Sequence, residues 1–351
     1  MNDFTKILLR WHKQNPRNMP WKHTNDPYKI WLSEIILQQT RVEQGISYYE
    51  RLVERFPSVE QLALAPEDEV MKYWEGLGYY SRARNLHAAA KQIFFDRDGV
   101  FPSTYTELLQ LKGVGKYTAA AISSFAFNLP HAVIDGNVLR LLARYFGVKD
   151  LSDSTVGQRV FIKLADDLLD KSDPGDYNQA IMNYGALICK PISPNCLICD
   201  LHKKCFAYTH GLIKNLPVKR KKKKLRIRWF NYLVLENKTH LILRKRIAED
   251  IWKGLYEFPL IETDNRCTAT QLETLFRKKN IFQEDNVGVI ETSKIIKHKL
   301  THQCICTQFL HINLPFDSNY LKEGYLKVKK DDINNLPFPK VIENYLEHLL
   351  Y

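Results

Sequence analysis

Between Lys219 and Arg228 the chain reads KRKKKKLRIR, with eight basic residues in ten, and the hydrophobic pattern differs on its two sides. Before this run, apolar residues recur at helical spacing or in Ala-rich stretches. After it, they come in short runs rich in β-branched and aromatic residues. A chain whose hydrophobic period changes in this way calls for two differently built units rather than one continuous layer. Its 351 residues are enough for two cores. The expected organisation is an all-α domain over 1–212, a solvated basic linker over 213–228 and an α+β domain over 229–351.

Several stretches of the first part carry helix signals. DPYKIWLSEIILQQT opens on Asp26-Pro27, a start signal, and brings Ile30, Ile35 and Leu37 near one stripe. YYSRARNLHAAAKQIFFD, YTAAAISSFAF and DYNQAIMNYGALIC follow, as does NVLRLLARYFG, closed by Gly147. No strand of any length is readable before the basic run. Beyond it, WFNYLVLENKTHLILRKR reads as two strands about an Asn237-Lys238 turn. One helix is expected near 268–280 and a last one near 338–349, with Cys304 and Cys306 as ordinary strand residues.

The formal net charge is +12 and the sequence pI about 9.2. A surface of this sign suits a polyanion, although a merely basic protein would show the same balance. No apolar run is long enough to span a membrane, and MNDFTKILLRWHKQNPR starts as an amphipathic helix rather than a signal peptide. A cytoplasmic protein without membrane contact is expected. Seven cysteines, an odd number in a chain without a secretion signal, argue against a disulfide framework.

Three local features carry chemistry. In LKGVGKYTAAAI, Gly113 and Gly115 leave backbone N–H groups bare where a helix begins, which makes an anion site that a DNA phosphate can fill. In isolation such a pair would mean only a tight turn between helices. In VIDGNVLRLLARY, Asp135 stands as a helix N-cap. In CKPISPNCLICDLHKKC, Cys189, Cys196, Cys199 and Cys205 are separated by six, two and five residues. Four thiolates so placed call for a metal, and their spacing leaves zinc and an iron–sulfur cluster both open.

Hairpin, aspartate and four cysteines in this order resemble the helix-hairpin-helix DNA glycosylase superfamily, in its iron–sulfur branch. WLSEIILQQT and GLGYYSRARNL are similar to the MutY-type adenine DNA glycosylases within it, and the part after the linker resembles that family's C-terminal Nudix-like domain. The resemblance implies a [4Fe–4S] cluster on the four cysteines. It also implies double-stranded DNA with adenine opposite 8-oxoguanine or guanine as partner, and a monomer working on the nucleoid. Glu34 becomes the general acid on adenine and later the base for water. Burial in the apolar surroundings of Ile30 to Leu37 would keep its carboxyl protonated near neutrality. Asp135 becomes the carboxylate that stabilises or traps the sugar cation, with Tyr117 and Asn137 supporting the pair. Tyr117 occupies the place where endonuclease-III-type relatives carry a Schiff-base lysine. A phenol cannot form that adduct, so base removal without strand cutting is implied.

The remaining assignments are also carried by the resemblance. Gln38 and Gln39 end the QQT helix, with Gln39 and Tyr79 matching the wedge that fills the gap left by a flipped base. Trp21 and Gln179 match the lining of the adenine pocket. Lys22 replaces the usual arginine after Pro20-Trp21 and lacks its planar fork. In KHKLTHQ, Leu300, Thr301 and His302 stand where the family has Phe-Ser-His to read 8-oxoguanine. The second domain lacks the clustered glutamates of a hydrolytic Nudix box. Two other readings are an endonuclease-III-type lyase on damaged pyrimidines and a non-enzymatic iron–sulfur DNA-binding protein.

Overall fold

The computed structural model describes residues 2–22, 24–220, 225–278, 291–313 and 322–350. Lys221 to Lys224 of the basic run, and positions 279–280 of the expected helix near 268–280, lie outside the described residues. Two compact units divide the chain. One is Met1–Leu64 with Asn85–Lys221; the other is Ala65–Arg84 with Lys222–Tyr351.

The first unit contains no strand among its described residues. Its helices begin where side chains can satisfy their free N–H groups. Asn2, Asp26, Asp135, Ser154 and Asp173 each accept from a backbone N–H in the first turn they cap. The Asp3–Gln14 helix packs on the Pro174–Leu187 helix, with Trp11 edge-on to Tyr184 at 4.9 Å between ring centroids. Phe4, Leu8, Leu141, Leu142, Phe161 and Tyr177 complete that core. Removing the Trp11 ring would cost roughly 3–5 kcal/mol. The Gly136–Phe146 helix stops at Gly147, whose φ of 71° is left-handed. A Cβ there would meet the Phe206 ring at 2.5 Å, so the position excludes any side chain.

The Pro27–Leu37 helix differs from the stripe its sequence suggests. Tyr28 and every residue from Ile30 to Ile36 are buried, including Ser33 and Glu34. The segment runs through the unit's interior and packs on the Lys116–Phe127 helix. A helix covered on nearly all sides loses its apolar periodicity, and any acid it carries is forced out of water.

In the second unit, the Arg226–Glu236 strand runs parallel to Gln303–Asn313 over its whole length. Among the described residues all other pairings are antiparallel. His240–Lys245 and Leu260–Thr263 pair with the first of these strands, and Glu291–Thr292 and Ile296–Lys299 with the second. Tyr256–Glu257 and Leu326–Lys329 add to His240–Lys245. Phe230 to Leu235 are buried without interruption because helices cover both faces. Leu310 and Ile312 face Leu272 and Phe276 of the Ala269–Arg277 helix. Phe309, pointing the other way, stacks on Tyr345 of the Lys340–Leu350 helix. No helix among the described residues is long and apolar enough to cross a membrane.

Three of the second unit's acidic groups are committed to arginines. Glu257, fully buried, pairs with Arg246 at 2.6 Å and Arg244 at 2.8 Å. Arg228 bonds both oxygens of Asp250 and both of Glu262. A carboxylate held this way, fully buried in Glu257 and partly exposed in Asp250 and Glu262, is structural, and none of these three is left to hold a cation. Within the same unit, Asp68 of the Glu67–Tyr73 helix binds Lys245 and the Tyr256 hydroxyl.

Candidate active site

Glu34 and Asp135 come from elements far apart in sequence and share one electrostatic environment. The interior helix carries Glu34 into a site where only 4 % of it is exposed. The Tyr117 hydroxyl, one residue into the Lys116–Phe127 helix, donates to Glu34 Oε2 at 2.7 Å. Burial pushes the Glu34 pKa up to about 7; the tyrosine bond opposes this and the nearby negative charge of Asp135 adds to it. The carboxyl group is therefore poised to give or take a proton near neutral pH. Burial and the two carboxylates hold the Tyr117 phenol well above its ordinary value, so it remains a donor.

Asp135 does what a capping aspartate does, with more contacts. Its Oδ1 accepts from the N–H groups of Asn137 at 2.8 Å and Val138 at 2.7 Å, and its Oδ2 from Asn137 Nδ2 at 2.6 Å. Burial raises its pKa, while these bonds and Arg140 pull it down. Asn137 is itself held, since Arg140 donates to its Oδ1 at 2.9 Å and also to the carbonyls of Gly185 and Cys189. Arg140 was not legible as a site residue. Its signal, an arginine one helical turn beyond the capping Asp-Gly-Asn, is visible only once its partners are known.

A cavity of about 500 Å³ opens at Glu34. Trp21, Lys22 and Gln179 line it, and so do His12 and Asp176, which sequence reasoning missed. Trp21 is buried and edge-on to Tyr49. Gln38 ends the interior helix, and its amide donates to Thr118 Oγ1 at 3.2 Å. Gln39 follows in left-handed backbone, φ 57°, a strained conformation for a residue with a side chain.

The turn at Gly113 and Gly115 has two different glycines. Gly113 has φ 77°, and a Cβ there would lie 2.6 Å from Asn85 Cβ, so the chain's own packing requires glycine. Gly115, the N-cap of the Lys116–Phe127 helix, is extended, and a Cβ there would meet nothing within 4 Å. The first glycine is thus explained internally. At the second, any close approach comes from outside the chain.

Cys189, Cys196, Cys199 and Cys205 line one cavity with Arg144 and Leu141. Arg144 donates to Cys189 Sγ at 3.5 Å, and the Tyr184 hydroxyl lies 3.2 Å from Cys199 Sγ. Among the described residues no three His, Cys, Asp or Glu side chains stand close enough to grip a single metal ion. The four sulfurs line the same small cavity, with the Arg144 guanidinium and the Tyr184 phenol against two of them, a thiol donor set of the kind that holds a metal or an iron–sulfur cluster.

In the second unit, Leu300, Thr301 and His302 form the tight turn between Ile296–Lys299 and Gln303–Asn313, closed by a Leu300 N–H to Gln303 carbonyl bond of 2.8 Å. Thr301 and His302 are exposed, and His298 at the base of the turn packs edge-on to Trp252. Tyr79 belongs to the same unit. It is 44 % exposed with left-handed backbone, φ 49°, and its hydroxyl lies 2.5 Å from Thr301 Oγ1.

The sequence profile of the HhH-GPD superfamily base excision DNA repair proteins matches residues 32–161, and that of the NUDIX domain matches 231–348. The adenine DNA glycosylase of Buchnera aphidicola subsp. Acyrthosiphon pisum (strain APS) is 32% identical over 355 residues, 99% of this chain and 98% of that protein. The adenine DNA glycosylase of Mus musculus is 41% identical over 226 residues, 61% of this chain and 44% of that protein. Among solved structures, a thermostable thymine-DNA glycosylase aligns at TM-score 0.55 and 31% identity, covering 59% of this chain and 95% of that one. An endonuclease III–DNA complex aligns at TM-score 0.52 and 22% identity over 60% of this chain and 96% of that one, a likeness of fold.

Proposed function

This chain belongs to the adenine DNA glycosylases, base excision repair enzymes that remove adenine from DNA, and on that premise we propose that its substrate is adenine opposite 8-oxoguanine, excised by Glu34 and Asp135. The observation that carries the catalytic assignment is the buried Glu34 carboxyl, poised near pH 7 and bonded to Tyr117, at the mouth of the cavity lined by Trp21 and Gln179.

The target nucleotide leaves the stack and its base enters the cavity. Protonated Glu34 gives its proton to a ring nitrogen of adenine, and the C1′–N9 bond breaks with its electron pair going to the base. The sugar is left as an oxocarbenium cation, as in glycoside hydrolysis. Asp135, fixed by three hydrogen bonds, stabilises that cation or bonds to it. Water adds at C1′ and returns its proton to the Glu34 carboxylate. The products are adenine and an abasic sugar, with the strand intact, because Tyr117 offers no amine for a Schiff base.

DNA is gripped at the start of the Lys116–Phe127 helix, where Gly115 caps without a side chain, while the Val114 N–H is spent inside the turn on the Leu111 carbonyl at 3.1 Å. Gln39 and Tyr79 are the wedge residues; each is held in left-handed backbone, a strain of the kind stored at functional sites. Thr301 and His302 read the opposite-strand lesion, in keeping with their exposure and with the approach of Tyr79 to Thr301. Cys189, Cys196, Cys199 and Cys205 would hold a [4Fe–4S] cluster, which supplies iron–thiolate bonds that tie the 189–205 loop together. One chain carries all these parts, so a monomer suffices, working on the nucleoid in the cytoplasm.

The test is one gel assay. Duplex with adenine opposite 8-oxoguanine is incubated with the protein and run with and without alkali. Strand breaks only after alkali are expected, and at a higher rate than for adenine opposite guanine. Breaks without alkali would replace this reading with that of a lyase, and equal rates on the two duplexes would remove the 8-oxoguanine assignment.

A further inference from the structure

Asp176 lines the cavity that contains Glu34, and the proposed chemistry leaves it unused. It lies in the first turn of the Pro174–Leu187 helix, three residues before Gln179, so the two side chains leave the same helix face. The usual reason for an acid here, capping the helix, does not apply. Asp173 is the cap, and it accepts from the Asp176 N–H at 3.2 Å.

Among the described residues no hydrogen bond holds the carboxylate; His12 and Lys22 act on it only electrostatically. His12 Nε2 stands 3.6 Å from Asp176 Oδ1, too far for a hydrogen bond. His12 is buried, and its Nδ1 has no hydrogen-bond partner among the described residues. Burial and the charge of Lys22 hold its pKa below the ordinary histidine value, and the charge of Asp176 opposes them. Lys22, half-buried in the same wall, feels the attraction of Asp176 and the repulsion of Arg17. Asp176 is thus a partly exposed carboxylate, flanked by an imidazole and an ammonium, facing the space where a flipped base would lie.

We propose that Asp176 is a specificity-determining residue that accepts a hydrogen bond from the exocyclic amine of the flipped base, with His12 and Lys22 as positioning residues. The inference rests on the reading of this cavity as the base pocket. Adenine presents an amino donor at C6, whereas guanine presents an acceptor oxygen there. A carboxylate aimed at the C6 substituent attracts the amine of adenine and repels the oxygen of guanine at that same position. Gln179 can turn its amide to suit either base, and alone it would discriminate poorly. In a purine–purine mispair this distinction matters, because either partner could be extruded. A group that repels guanine selects by rejection as well as by attraction.

The experiment compares two substrates that differ by one group. Single-turnover release of adenine and of unsubstituted purine, which lacks the 6-amino group, is measured from otherwise identical duplexes opposite guanine. The full-length protein is used, as wild type, Asp176→Ala, Asp176→Asn and Glu34→Gln. A charge-assisted hydrogen bond predicts that Asp176→Ala lowers the adenine-to-purine rate ratio by roughly tenfold or more. Asp176→Asn, which keeps one acceptor oxygen, should fall part of the way. Partial unfolding would reduce both rates together and leave the ratio alone. A ratio within about twofold of wild type in Asp176→Ala, with Glu34→Gln inactive, would overturn the Asp176 assignment alone. Normal adenine release by Glu34→Gln would instead remove the base-pocket reading beneath it.

Discussion

Replacing Glu34 by glutamine should abolish adenine release and, above neutral pH, make the protein more stable. The carboxyl titrates at about 7 in the folded chain, against an ordinary value of 4.5. Between those values the native state binds more protons than the unfolded one, so stability falls as pH rises through this window. At about 1.4 kcal/mol per pH unit the full loss is on the order of 3 kcal/mol, complete above pH ~7. Glutamine is neutral at every pH, retains an oxygen for the Tyr117 hydroxyl at nearly the same place, and carries no such penalty. The two proteins should therefore unfold alike near pH 4.5, diverge up to about pH 7 and keep that difference to pH 8, the variant being the more stable. Thermal unfolding of both, followed across that range at one ionic strength, is the measurement. The same window should shape catalysis. Adenine release by the wild type needs protonated Glu34 and should decline as pH rises through about 7. Parallel stability profiles for the two proteins would refute the burial argument, and appreciable release by the variant would refute the role of the acid.

Three other outcomes are expected. Tyr117→Lys should give a borohydride-trappable adduct with abasic or adenine-containing duplex, since an amine then replaces the phenol beside Glu34; no adduct on a gel would mean the lysine does not reach C1′. Changing Thr301 and His302 together to alanine should lower the preference for adenine opposite 8-oxoguanine over adenine opposite guanine by roughly 1–3 kcal/mol, read as single-turnover rates and binding at fixed salt. An unchanged preference would move lesion reading elsewhere. Protein purified without oxidants should be brown and hold about four iron atoms per chain, and Cys199→Ser should lose most of them; zinc in place of iron by elemental analysis would reverse the cluster assignment.

The division of labour between sequence and structure can be followed residue by residue. The helical and β regimes, the turn at Asn237-Lys238 and the cap at Asp135 are local matters of period and capping, and they were legible. Glu34 was legible only in part. An acid among Ile30, Trp31, Ile35 and Ile36 suggested burial, but a one-sided stripe was expected, and the helix proved buried on nearly every side. Periodicity reports amphipathic elements and says little about a helix enclosed by others. Asp176 and His12 escaped because their meaning is pairwise. They are 164 positions apart and come together only when the Asp3–Gln14 helix packs on Pro174–Leu187. Gly113 and Gly115 look equivalent in sequence, yet one is needed by Asn85 and the other is bounded by no neighbour within the chain.

The polar contacts of Ala65–Arg84 have a consequence for how the protein is made. Asp68 waits for Lys245 and Tyr256, and Glu75 for the N–H of Phe338, with separations of 177 to 263 residues along the chain. At about 5–20 residues per second, a ribosome needs on the order of ten seconds to a minute to supply those partners. During that interval the Glu67–Tyr73 helix, with Val70 and Met71 that end fully buried, has left the exit tunnel without its polar anchors. The parallel pairing of Arg226–Glu236 with Gln303–Asn313 is closed late for the same reason, since its second strand is translated well after the first. Nascent chains halted before Lys245 should therefore be the ones that chaperones hold longest.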